Sequence, residues 1–136
     1  MKSVTRYLSG AALGLALVLA ARPAAALDLN GYFNGKYIQG DHACLVSASI
    51  TQSGARVFVY GGMDQTIDGV AYFSADLTLD GTHVSGSVDL QGAEGVLDTV
   101  STTGKTNSKG TKVKLTLTRS TGEALKIKLN RYNGHH

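Results

Sequence analysis

The chain contains no tryptophan, one proline and one cysteine in 136 residues. The lone Cys44 excludes an internal disulfide framework and a thiolate-rich zinc site. The single proline, Pro23, precedes everything with strand-like pattern, so no later strand lacks a backbone donor for that reason. Histidine is confined to His42, His83, His135 and His136, so a Ser–His–Asp triad would have to draw on His42 or His83. There is no Gly-x-Ser-x-Gly elbow, phosphate loop or zinc-protease helix. His42 and Cys44 share one side of an extended strand, but two ligands do not make a structural zinc site. Asp64 and Asp68 are likewise too few for a calcium loop. Neither a cofactor nor a resident metal is expected, and no residue is assigned a catalytic role.

What is present begins with a leader. Lys2 and Arg6 make a positive start, residues 8–21 form an apolar run of 14 residues, and Ala24-Ala25-Ala26 supply a small-x-small cleavage pattern before Leu27. The run is short of the roughly 20 residues of a membrane-spanning helix. No cysteine follows the cleavage pattern, and Arg6 has no adjacent arginine, so neither a lipid anchor nor the twin-arginine route is indicated. Residues 1–26 therefore read as a signal peptide for Sec export to the periplasm or the medium, and residues 27–136 as a single domain. Lys2, Arg6 and Arg22 are the only charges before Leu27, so removal of the leader cuts 13 basic residues to 10 and balances the 10 acidic ones. The pI of 9.1 is thus no argument for nucleic acid as a partner.

After Gly31 the apolar residues recur at every second position, and turn residues interrupt at intervals of roughly 8–12. The pattern predicts strands near 31–39, 43–52, 55–61, 69–79, 82–91, 94–101, 111–119 and 123–132. Ser53-Gly54, Asp80-Gly81 and Thr121-Gly122 suit tight hairpins, while residues 105–110, KTNSKG, read as the longest polar loop. Short links imply a meander, and closing it removes both exposed edges. The expected fold is all-β: an eight-stranded antiparallel up-and-down barrel, with a two-sheet β-sandwich as the alternative. Such a barrel has room for packed side chains or one small ligand.

The opening Leu29-Asn30-Gly31-Tyr32-Phe33-Asn34 resembles the Gly-x-Trp opening of the calycins, the lipocalin and avidin group, with Phe33 in place of tryptophan. The resemblance implies a basic residue of the last strand packed across that aromatic. Arg131, in phase with Leu125, Ile127 and Leu129, is the residue so placed, and the pair reads as a plug at one barrel end. A biotin site is not implied, since tryptophan is absent.

Two further features concern function. Cys44 is in phase with Val46, Ala48 and Ile50, so it reads as a buried small hydrophobe, with an intermolecular disulfide or a reactive or metal-binding thiol as the alternatives. Charge, in contrast, is segregated along the chain: residues 27–100 hold nine acids and two bases, −7, and residues 101–136 hold eight bases and one acid, +7. Lys112, Lys114, Lys126 and Lys128 alternate with apolar residues and form an outward stripe beside Lys105 and Lys109. A solvated face that discourages edge pairing would look the same. The functional reading is docking to an anionic lipid, a polysaccharide or an acidic protein. The leading expectation is a non-enzymatic binding or interaction domain, holding either a small apolar ligand inside or an anionic macromolecule on the last hairpin. The alternatives are a small outer-membrane barrel and an enzyme or enzyme inhibitor.

Overall fold

A computed structural model describes residues 27–132; the expected signal peptide and the tail histidines His135 and His136 lie outside it. The elements are β1 (Gly31–Gln39), β2 (His42–Ser53), β3 (Arg56–Ile67), β4 (Val70–Asp80), β5 (His83–Gly92), β6 (Gly95–Thr106), β7 (Lys112–Thr118) and β8 (Ala124–Arg131). Each pairs antiparallel with the next, and β8 returns to β1 along a ladder from Phe33↔Arg131 to Gln39↔Leu125. That last ladder replaces the sandwich alternative with a closed barrel.

Two strands outrun their expected ends. β3 continues to Ile67 through a register shift after Gly62, and β6 continues to Thr106. Lys105 is therefore a strand residue, not a loop residue. The sequence pattern obscured this because the inward positions there are Thr102 and Thr106, not aliphatic residues. Both are buried, and the Thr102 hydroxyl donates to the Thr116 carbonyl at 3.0 Å, which offsets its desolvation. The shortened loop is ordered by Asn107, whose Oδ1 accepts from the Thr111 and Lys112 amides at 2.8 and 3.1 Å.

Strand alternation puts the large apolar side chains inside. Phe33, Tyr37, Phe73, Leu77, Leu90, Leu115, Leu125, Ile127 and Leu129 are fully buried. The lysines face outward, whereas a lipid-embedded barrel turns its apolar side chains out. The interior is tightly packed at Gly61: a methyl group built there would strike the ring of Phe73, so the missing side chain on β3 makes room for a large one on β4. Gly35 on β1 and Gly104 on β6 serve backbone contact instead. Any Cβ there would run into the carbonyl of Lys128 or Lys114 on the neighbouring strand.

The Gly61–Phe73 fit generates a test. Gly61→Ala should destabilise the barrel by about 1–3 kcal/mol through overpacking. Gly61→Ala combined with Phe73→Leu should recover part of that loss. Urea unfolding of the three variants measures both effects, and equal stability of Gly61→Ala and wild type would contradict the packing.

Candidate functional site

Barrel closure extends the basic stripe beyond the last hairpin. Lys114 and Lys128 are directly opposed between β7 and β8. Lys128 is opposite Lys36 on β1, Lys114 is opposite Lys105 on β6, and Lys105 is opposite His83 on β5. The result is a single row, Lys36–Lys128–Lys114–Lys105–His83, across five neighbouring strands, with every member exposed. Lys112 lies one step toward the mouth, opposite Asn130. Lys126 lies one step the other way, between Ile38 and Thr116. Lys109 is exposed on the loop at the mouth. The row holds no carboxylate, and among the described residues the ion pairs belong to Arg56 and Arg119, not to these lysines. Lys36 was missing from the expected site because only the β1–β8 register brings it there.

At the mouth where β8 ends, the Arg131 guanidinium lies over the Phe33 ring, its Cζ 4.9 Å from the centroid. Its nitrogens donate to three backbone carbonyls, those of Asn30 at 2.6 Å, Asp28 at 2.8 Å and Gly110 at 2.9 Å. One side chain thus ties the segment before β1 to the β6–β7 loop.

The opposite mouth carries a polar cluster that sequence reasoning overlooked. Arg119, just past β7, is buried and pairs with Asp68 at 3.3 Å and Asp98 at 3.5 Å. Alongside, the Tyr37 hydroxyl donates to Gln39 Oε1 at 2.8 Å, and Gln39 Nε2 donates to Glu123 at 2.7 Å. Hydrogen bonds from the Ser120 amide and hydroxyl, then the Arg119 charge, hold the Asp98 carboxyl below its ordinary range. Burial pushes the Tyr37 phenol up, so it stays neutral as a donor. The available signal was phase: Arg119 continues the inward series Val113, Leu115, Leu117.

Cys44 is buried and unpaired. Burial pushes its thiol pKa up, which disfavours the nucleophilic thiolate. His42, at the start of the same strand, is exposed. Among the described residues, no three His, Cys, Asp or Glu side chains converge as a metal site. A second overlooked feature lies on the far side of the barrel. Phe58, Tyr60 and Tyr72 are exposed on β3 and β4, the two tyrosine rings stacked at 6.4 Å and 17°, with Arg56 over Phe58. These aromatics occupy the outward positions of their strands, where alternation alone reads them as surface.

No protein-family model and no curated protein sequence matches the chain. Solved structures do. A redesigned β-barrel is similar with a TM-score of 0.60 and 19% identity, over 81% of this chain and 96% of that one. A second redesigned barrel, mFAP1 bound to DFHBI, gives 0.58 and 15%, over 76% and 94%. A de novo fluorescence-activating β-barrel gives 0.58 and 14%, over 80% and 97%. At these identities the likeness is one of fold.

Each mouth generates a test. Arg131→Ala should lower stability by about 1–3 kcal/mol, because three backbone acceptors and an aromatic face lose their partner together. A melting temperature equal to wild type would remove Arg131 from any structural role. For Asp98 the folded pKa lies below the ordinary 3.8, so its ionised form contributes stability above that value and loses it as the pH falls through the lower, folded one. Asp98→Asn should therefore be less stable than wild type near neutrality, and the gap should close in acid. Chemical unfolding across that pH range reads the gap directly.

Proposed function

We propose that the chain is an exported, non-enzymatic binding barrel that engages an anionic macromolecule through the outer face of β6, β7, β8 and β1. The observation that carries the reading is the row of four lysines and His83, with Lys112 and Lys126 beside it. Like charges directly opposed on neighbouring strands cost stability, and this molecule has acids enough to alternate signs but places them elsewhere. An anionic partner turns that cost into attraction. Export rests on the leader pattern of residues 1–26.

A second reading places a small apolar ligand inside the barrel. Its support is the likeness to mFAP1, which is bound to DFHBI. Against it stand the filled interior around Phe33, Tyr37 and Phe73 and the polar closure at both mouths. We therefore place the working surface outside.

The test is binding to anionic vesicles, acidic polysaccharide and DNA at low and physiological salt. Wild type should bind at least one of them and lose affinity by roughly tenfold or more with added salt, because exposed charges are screened within about 8–10 Å. Reversing both Lys114 and Lys128 to glutamate should abolish binding without lowering the melting temperature. Absence of binding to all three, or binding indifferent to salt and charge reversal, would refute the reading.

A further inference from the structure

The lysine row lies along a groove. One recess of about 660 Å³ opens on the outer face at β8, β1 and β2, and is lined by Asn34, Lys36, Leu45, Ser47, Lys128 and Asn130, with Tyr132 at its rim. A second, of about 410 Å³, opens over β6, β7 and β8, and its polar lining is Lys105, Asn107, Lys112, Lys114, Lys128 and Asn130. Lys128 and Asn130 line both, so the two recesses adjoin on β8. Their polar groups lie in two parallel rows: the ammonium groups of Lys36, Lys128, Lys114 and Lys105, suited to carboxylate or sulfate, and beside them Ser47, Asn34, Asn130 and Lys112, whose hydroxyl and amides suit neutral hydroxyls. Leu45, exposed at 60%, and Tyr132, exposed at 43%, supply apolar contact at one end.

We infer that the occupant of this groove is a linear acidic polysaccharide lying across the strands. The inference rests on the basic-face reading and names the partner class within it. Three arguments select the polysaccharide. Adjacent strands are about 4.8 Å apart, so a row over five strands offers regularly spaced cations across about 19 Å, which suits a repeating anion. That row crosses four of the eight strand-to-strand steps of a closed barrel and so winds around half of it. A flat bilayer touches only the strands nearest its plane, whereas a flexible chain follows the curve. Single-stranded nucleic acid favours aromatic platforms for its bases, and the two recesses offer one aromatic, Tyr132, at one end.

The experiment titrates the full-length chain with polygalacturonate oligomers of increasing length, beside phosphatidylglycerol vesicles and single-stranded DNA at the same salt. Affinity should climb with oligomer length until the row is spanned, and then level off. Lys105→Gln, at the far end of the row, should weaken long oligomers several-fold and leave short ones unchanged. Asn130→Asp, where the recesses meet, should weaken all lengths by about tenfold, since it sets a carboxylate against the ligand's own charge. Both positions are exposed, and an unchanged melting temperature confirms that the fold is intact. Vesicles or DNA binding more tightly than the oligomers, or affinity independent of length, would overturn the inference while sparing the basic-face reading. Failure to bind any anion would remove both.

Discussion

The pairing of β1 with β8 is the constraint on which the other features depend. Seven ladders join consecutive strands and follow from short hairpins. The eighth joins residues as distant as Phe33 and Arg131, and without it the meander is an open sheet with two raw edges. Closure turns the alternating faces into an inside and an outside, and it brings Arg131 across Phe33. It also sets Lys36 against Lys128, which converts a two-strand charge stripe into a band that winds around the barrel.

The two mouths are sealed by the same device, inverted. β7 and β8 are antiparallel neighbours, and each leads into an arginine in the inward phase. Because the strands run in opposite directions, Arg119 reaches one mouth and Arg131 the other. The partners differ with the local chain. Arg131 meets backbone carbonyls of the segment before β1 and of the β6–β7 loop. Arg119 meets the carboxylates of Asp68 and Asp98, which the turn after β3 and the start of β6 supply. Polar closure lies at both ends with aromatic packing between them, and the outer surface carries lysines over β6 to β1 and Phe58, Tyr60 and Tyr72 over β3 and β4.

Period-two alternation was enough to read the strands, to orient Lys112, Lys114, Lys126 and Lys128 outward, and to put Cys44 with Val46 and Ile50. It failed where polar residues occupy inward positions. Thr102 and Thr106 disguised the second half of β6, and Lys105 was read as loop for that reason. It also carried no information about register between distant strands, so Lys36 and His83 could not be joined to the basic set. Arg119 was legible in principle, since Val113, Leu115 and Leu117 point to it, but an arginine after three aliphatic residues reads more readily as the end of a strand than as its buried terminus.

The glycines that admit no side chain have a consequence of another kind. At Gly35 and Gly104 the neighbouring backbone occupies the space of a Cβ, and at Gly61 the Phe73 ring does. Most other positions ask only for an apolar residue inside or a polar one outside, a demand that very many sequences satisfy. Ancestry in such a barrel is therefore poorly recorded by overall identity. It is better sought in a sparse pattern of spacings: a glycine in the first strand, one in the third opposite a large aromatic in the fourth, one near the end of the sixth, and an inward arginine closing each of the last two.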